Sequence, residues 1–138
     1  MGYRTKYLLC GSRQSSGAEL EEQEFRAAIV WLIANGKTEE ALERLAKHYG
    51  VCVPKLKVGL PKGHKVRTLG CYDARTKTIS VFHGNALKEP FVVLHEFYHH
   101  VRTGIDTRHR GTEKYANEFA GKFIRAYQSF VVESLGNN

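Results

Sequence analysis

The sequence predicts an α+β domain in which helices flank a small, mostly antiparallel sheet. The chain has 138 residues and is 42% hydrophobic, which is enough for one compact core. Apolar residues recur with helical spacing near both ends of the chain, whereas the middle alternates between apolar and polar residues. Residues typical of turns separate these segments. The expected order is therefore two helices, three short strands and two helices.

The first part of the chain predicts a loose arm followed by the domain. Residues 1–17 are polar and contain several Gly and Ser residues, so we expect a flexible N-terminal arm. A single domain then spans residues 18–138. Residues 18–35 predict its first helix, because the first turn is acidic and the apolar side chains form one stripe. Gly36 is suited to end this helix.

The next segments predict a second helix and then the sheet. Thr38 can cap a helix that runs to about Tyr49. The stretch VCVPKLKVGL alternates apolar and basic residues around Pro54, which predicts a strand at a sheet edge. KVRTLGCY and TKTISVF flank the turn DART and predict a β-hairpin.

Two further helices complete the predicted fold. Pro90 is well placed in the first turn of the third helix, and Gly104 is suited to end it. After a polar loop, Thr112 can cap a final helix that runs to about Leu135. The third helix is strongly apolar, and it carries the most specific motif of the chain.

The composition of the chain argues against several classes of protein. No stretch approaches the roughly 20 apolar residues of a membrane-spanning helix, and the N-terminus lacks the apolar region of a signal peptide. We therefore expect no membrane partner. Three cysteines without a C-x-x-C pair argue against a cysteine-based zinc finger and a disulfide scaffold. This count fits a reducing compartment, so we expect a cytoplasmic protein. The cysteines are Cys10, Cys52 and Cys71.

The chain is basic, with a formal net charge of +7, which favours acidic partners such as nucleic acid. Five basic side chains lie between Lys55 and Arg67, and no acid follows before Asp73. This stretch contains no aromatic side chain that could stack on bases. We interpret it as a solvated face, so nucleic-acid binding stays open but is not favoured.

The stretch VVLHEFYHHV contains an H-E-x-x-H motif formed by His95, Glu96 and His99. Residues four apart lie on one face of a helix, so both imidazoles can bind one cation, and imidazole suits zinc. Glu96 lies about 100° round the helix from His95, where it can take a proton from a water molecule. Two alternatives stay open: a pair of hydrogen-bonded core histidines, and a structural zinc site without chemistry.

A catalytic zinc site needs three protein ligands and one open position. The candidates for the third ligand are His109, Glu113 and Glu118. Helical periodicity places Glu113 on the inner stripe of the last helix and Glu118 roughly 140° away, on its solvent face. Glu113 is therefore preferred. Asn117, one turn further on, could accept a hydrogen bond from the far ring nitrogen of a ligand histidine.

The H-E-x-x-H motif followed by E-x-x-x-N in the last helix resembles the gluzincin metallopeptidases. The segments EKYANEFA and LGCYDARTKTISVF resemble the small ImmA/IrrE-like group, and the single-domain minigluzincins are similar in size. The resemblance covers about residues 53–127. Phe97 and the segment IRAYQSF depart from the pattern of that group. The resemblance implies a zincin-like fold with an active-site helix and a glutamate-bearing helix.

The resemblance also implies an activity, which is zinc-dependent hydrolysis of peptide bonds in a peptide or protein. It implies that His95, His99 and Glu113 bind Zn²⁺. Glu96 would be the general base that activates a zinc-bound water and then passes the proton to the leaving amine. Asn117 would orient a ligand histidine.

Further roles follow from the same resemblance. The strand before the motif helix would be a sheet edge that pairs with extended substrate. That strand comprises Thr78, Ile79, Ser80, Val81, Phe82 and His83. A donor near the metal would stabilise the transition state, and the candidates are Tyr98, His100, His109 and Tyr115. Spacing directs His100 and Tyr115 away from the metal, which favours His109 and then Tyr98.

Functions of other classes stay open. The chain could be a regulatory protein that keeps the zinc fold and cleaves or merely holds a partner, such as a transcriptional repressor. It could also be a nucleic-acid-associated protein with a structural metal. The apolar run Phe130–Val132 suits either packing of a homodimer or ordinary core packing.

Overall fold

Helices form both ends of the described chain, and three short strands lie between them, as an α+β fold requires. The computed structural model describes residues 17–60, 69–103 and 112–136. The helices are α1 (Gly17–Ala34), α2 (Thr38–Tyr49), α3 (Pro90–Thr103) and α4 (Thr112–Gly136). The strands are β1 (Lys55–Val58), β2 (Gly70–Asp73) and β3 (Thr78–Val81), and a short 3-10 helix covers Gly84–Lys88.

The helix boundaries agree with the sequence prediction to within a residue where the structure describes them, but the cap of α2 differs. Gly50 directly follows α2 and ends it, since this residue adopts the left-handed conformation at φ 70° and its N–H donates to the Ala46 carbonyl. At the other end, Thr38 is not a side-chain cap. Its hydroxyl instead donates to the carbonyl of Leu87, so it joins α2 to the 3-10 helix.

The sheet is mixed, so the prediction of a mostly antiparallel sheet is wrong. The strand order is β1-β3-β2, with β1 parallel and β2 antiparallel to β3. The predicted hairpin forms as β2 and β3, and β1 lies at an edge as predicted. β1 and β3 are not joined by a tight turn, because β2 lies between them in the chain, so hairpin geometry does not force this pair to be antiparallel.

β3 is the central strand, so the expectation that residues 78–83 form a substrate-pairing edge is wrong. Thr78, Ile79, Ser80 and Val81 have a partner strand on each side. The physical reason is burial, because Ile79 and Val81 are fully buried and only the middle of the sheet excludes solvent this completely. Beyond the strand, the Phe82 N–H donates to the Leu69 carbonyl, and His83 caps the 3-10 helix.

The core lies where α4 packs along α1 and α3 and where α3 covers the sheet. Phe123 of α4 is 1% exposed and its ring lies 6.4 Å from that of Phe25 in α1. Val93, Leu94 and Phe97 of α3 are completely buried. This burial fixes the rotation of α3 about its own axis. The opposite face of the helix is therefore directed at the first turn of α4.

Several predicted features lie wholly or partly outside the described residues. These are residues 1–16 of the N-terminal arm, the middle of the basic stretch at 61–68, and His109. Lys55 and Lys57 of that stretch are exposed on β1. Val132 is 66% exposed, so the run at the end of α4 is not core, and dimer packing there stays a prediction. None of the described helices is long and apolar enough to cross a membrane.

Candidate metal centre

Two helices bring the H-E-x-x-H motif and Glu113 together. α3 begins at Pro90, whose fixed φ suits a first helical turn. Because its apolar stripe faces the core, His95 and His99 lie on the other side, with side chains 13% and 17% exposed. The first turn of α4 crosses this face and places the Glu113 carboxylate against both imidazoles.

The three side chains present their ligand atoms to one point. The Nε2 atoms of His95 and His99 are 3.3 Å apart. Glu113 Oε1 is 3.0 Å from His95 Nε2, and its Oε2 is 2.9 Å from His99 Nε2. Ligand atoms of a tetrahedral zinc site with bonds of about 2.0–2.1 Å are separated by about 3.3–3.4 Å. The donor set therefore fits one zinc ion after small adjustments.

The hydrogen bond of His95 supports the same conclusion. Its Nδ1 lies 2.9 Å from Asn117 Oδ1, and because an amide oxygen only accepts, Nδ1 carries the proton of the neutral ring. The Nε2 lone pair then faces the carboxylate oxygen of Glu113, which is also an acceptor. Two acceptors at this distance repel each other unless a proton or a cation lies between them. A cation bound by His95, His99 and Glu113 would remove this repulsion, as would a proton on Nε2.

Glu96 lies beside this cluster and is shielded from solvent. It is only 8% exposed. Burial, and to a smaller degree the Glu113 carboxylate, raise the pKa of Glu96 to about 7. Gly70 of β2 makes room for it, since a Cβ there would lie 3.4 Å from Glu96 Cγ and 2.9 Å from Val92 Cγ1. A glycine at this position lets the strand approach the helix closely.

The cluster opens into a cleft of about 530 Å³ between α3, the start of α4 and β2. β2 is the wall, and it is a free edge within the described part of the sheet. The Leu69–Phe82 pair is hydrogen-bonded, and the next pair along the ladder is Gly70 with Val81. Hydrogen-bonded and non-bonded pairs alternate, so the backbone N–H and C=O groups of Gly70 and Tyr72 point away from β3.

The sequence-predicted residues are only partly brought together. His95, Glu96, His99 and Glu113 line the cleft, and Asn117 contacts His95. The expectation that Glu113 points inward is wrong, because its side chain is 74% exposed and reaches the histidines across the open cleft. The reason is that it lies in the first turn of α4, before that helix becomes covered.

Of the two favoured candidates for a transition-state stabiliser, the structure describes only Tyr98. The Tyr98 ring packs 5.4 Å from Phe119, and Tyr98 does not line the described part of the cleft. His109 lies outside the described residues. Glu118 is exposed, as expected of a solvent carboxylate.

His100 has a structural role that the sequence pattern did not reveal. It is 4% exposed, and its Nε2 is 2.7 Å from the Cys52 carbonyl while its Nδ1 is 2.7 Å from the Tyr72 hydroxyl. The carbonyl only accepts, so Nε2 donates and Nδ1 accepts from Tyr72. These bonds join α3 to β2 and to the chain before β1. In the sequence, the one sign of this close packing between α3 and β2 was Gly70 within a predicted strand.

Neither of the two described cysteines belongs to the His95–His99–Glu113 cluster. Cys52 and Cys71 are both free. Burial and the Glu96 carboxylate raise the pKa of the Cys71 thiol, so it stays protonated at neutral pH. Cys10 lies outside the described residues.

Comparisons with protein-family models, curated proteins and solved structures found no match to this chain.

Proposed function

We propose that the protein is a zinc metallopeptidase of the gluzincin type. The observation that carries this proposal is the convergence of His95, His99 and Glu113 beside a buried Glu96. Three protein ligands of this kind leave one coordination position open, as in catalytic rather than structural zinc sites. Free Cys52 and Cys71 are compatible with the reducing, cytoplasmic setting that we also propose.

The zinc ion, when bound, supplies Lewis-acid catalysis and lowers the pKa of water. Glu96 moves the proton, because its carboxylate lies beside the ligand face of α3 and can accept from the attacking water and donate to the leaving amine. Asn117 holds His95 in the tautomer whose Nε2 is available as a ligand. Burial of Glu96 keeps its carboxylate away from competing bulk water.

The substrate in this proposal is an extended peptide that pairs with β2 rather than with β3. The outward backbone groups of Gly70 and Tyr72 offer donors and acceptors at the wall of the cleft. Main-chain pairing of this kind binds peptides with little regard to sequence. It also places a peptide bond next to Glu96, since Gly70 is in close contact with that side chain.

The transition-state donor in this proposal is His109. Thr112 lines the cleft, and His109 precedes it by three residues in the sequence. Three residues span at most about 11 Å even when fully extended. Tyr98 is not suited to be this donor, because its ring packs against α4. His109→Ala should lower kcat with little change in KM or in zinc content.

The experiment that tests this function is hydrolysis of an unfolded protein by the zinc-loaded chain. Glu96→Gln should abolish cleavage while the zinc content is unchanged, because it removes only the proton acceptor. The matched control is Glu118→Gln, which changes an exposed glutamate of α4 and should cleave as the wild type does.

Two results would contradict the proposal. One is cleavage by Glu96→Gln at the wild-type rate, which would indicate a contaminating peptidase. The other is a zinc-loaded wild type that cleaves neither unfolded proteins nor extended peptides. That outcome would favour the regulatory protein that binds zinc and holds a partner.

A further inference from the structure

A second cavity lies between α1 and the C-terminal half of α4. Its volume is about 430 Å³. It shares no described lining residue with the metal cleft. Glu113 and Arg125 are twelve residues apart on α4 (113 to 125), which is about 18 Å along a helix axis. The cavity is therefore a separate site, and it takes no part in the proposed hydrolysis.

The lining of this cavity carries excess positive charge. Arg26 of α1 and Lys122 and Arg125 of α4 line it, whereas Glu19 is the one carboxylate among its described lining residues. Neither Lys122 nor Arg125 has a carboxylate within 4.0 Å in the described ranges. Arg26 has Glu22 as a counter-ion, but Lys122 and Arg125 leave the lining with excess positive charge, which attracts anions.

Arg26 adds an unused hydrogen-bond donor. Its Nε is buried and has no partner among residues 17–60, 69–103 and 112–136. The rest of the guanidinium is held in place, since Nη2 is 3.5 Å from Glu22 and Cζ is 5.9 Å from the centre of the Phe123 ring. A buried donor without an acceptor is unfavourable. An anionic oxygen in the cavity could reach this Nε only after the side chain shifts, so in its present position Arg26 contributes mainly its positive charge.

The remaining lining indicates the size and polarity of the ligand. Leu20, Ala126 and Phe130 give the cavity an apolar part, and Gln23 and Ser129 add hydrogen-bonding groups. The volume is far larger than a bare phosphate or sulfate requires and falls within the range of small-molecule sites. These features suit a compact molecule that has one strongly charged end and one apolar end.

We propose that this cavity binds a small organic phosphomonoester. The phosphate lies among Arg26, Lys122 and Arg125, and the apolar body of the ligand packs against Leu20 and Phe130. A phosphomonoester is close to a dianion at neutral pH, so it is attracted to the excess positive charge of the lining more strongly than a monoanion. Arginine binds phosphate oxygens through paired N–H donors, and the higher charge of phosphate favours it over a simple carboxylate beside three cations.

The test is a titration of the full-length, zinc-loaded chain with phenyl phosphate, followed by amide NMR shifts. The expected result is saturable binding that shifts amides of α1 and of the second half of α4. Arg125→Ala should weaken it by about tenfold, as removal of a charge-assisted contact does. The matched control is Lys114→Ala, an exposed cation of the same helix outside the cavity, which should bind as the wild type does.

Two further measurements identify where and how the ligand binds. Glu113→Ala, which changes only the metal cleft, should leave phenyl phosphate binding intact whether or not the chain is a peptidase. Inorganic phosphate should bind at least about threefold more weakly than phenyl phosphate, because it makes no apolar contact.

The proposal is overturned by absence of saturation up to about 10 mM phenyl phosphate. It is also overturned if Arg125→Ala and Lys114→Ala bind equally well, or if inorganic phosphate binds as tightly as phenyl phosphate. Loss of binding in Glu113→Ala would place the anion at the metal centre instead, which equally contradicts a site between α1 and α4.

Discussion

The position of one proton decides whether His95 can bind a metal. Asn117 accepts from Nδ1 of His95, which leaves the Nε2 lone pair directed at the point where His99 and Glu113 also converge. Without this partner the ring could adopt the other tautomer or rotate away. Asn117 therefore stabilises the ligand geometry although it would not touch the metal.

We predict that Asn117→Ala lowers zinc affinity by about 10–100-fold, as loss of such a partner does in other metal sites. The zinc content at saturating zinc stays the same, because all three ligands remain. Competition with a chromophoric chelator measures the affinity. Glu118→Ala is the control, since it changes the neighbouring, exposed residue. Equal affinities of the two variants would contradict the role of Asn117.

His100 differs from its neighbour His99 in both surroundings and role. It is buried, and both ring nitrogens have hydrogen-bond partners in β2 and in the segment before β1. We predict that Tyr72→Phe lowers the free energy of unfolding by about 1–3 kcal/mol, because a buried acceptor loses its donor. Urea denaturation measures the change, and zinc content should be unaffected.

The control for Tyr72→Phe is Tyr115→Phe, which removes the hydroxyl of a tyrosine that is 47% exposed. Its free energy of unfolding should stay within about 0.5 kcal/mol of the wild-type value. If both variants unfold at the same urea concentration as the wild type, the buried bond between Tyr72 and His100 contributes nothing to stability.

At the scale of elements, the cleft depends on how closely β2 approaches α3. A Cβ on Gly70 would lie 2.9 Å from Val92 Cγ1 and 3.3 Å from the Ser80 carbonyl oxygen. The side chain could shift, but the backbone atom of the neighbouring strand cannot shift without distorting the sheet. Gly70 therefore sets the width of the cleft next to Glu96.

We predict that Gly70→Ala destabilises the protein by about 1–3 kcal/mol, the usual cost of overpacking. It should also lower peptidase activity, since β2 moves relative to Glu96, while zinc content is kept. Gly84→Ala is the control, because a Cβ there meets nothing within 4 Å. Thermal unfolding and cleavage assays on both variants give the comparison. A fully stable, fully active Gly70→Ala would contradict the close approach.

The sequence predicts local elements better than strand order. The helices and the hairpin could be predicted, because each depends on periodicity and turn residues that lie close together in the sequence. The structure contains all of these elements. The order β1-β3-β2 depends on contacts between distant segments, and four-residue strands carry too little pattern to reveal it. Ile79, Ser80 and Val81 are all buried in the structure, but the polar Ser80 interrupts the apolar run that would have indicated a central strand in the sequence.

At the scale of the whole molecule, the candidate metal centre joins α3 to α4 across a cleft that is otherwise open. The H-E-x-x-H spacing selected His95 and His99, whereas Glu113 was preferred for an inward position that it does not have. The same spacing could not give the exposure of Glu113. That exposure depends on where the first turn of α4 lies relative to the core, which is a tertiary property.

We predict that zinc raises the stability of the whole chain. A ligand that binds only the folded state at 100 times its Kd adds about 2.7 kcal/mol to the free energy of unfolding. Denaturation with and without a chelator should show a difference of this order for the wild type. It should vanish for His99→Ala, which removes a ligand. A zinc-independent wild type would contradict a site that joins the two helices.

The central claim is a three-ligand metal site in which Glu113, and not Glu118, provides the carboxylate. The most direct measurement is elemental analysis of the purified wild type and of His95→Ala, His99→Ala, Glu113→Ala and Glu118→Ala. We predict about one zinc ion per chain in the wild type and in Glu118→Ala, and little or none in the other three. A wild type without metal, or a zinc content that is indifferent to Glu113, would contradict the account.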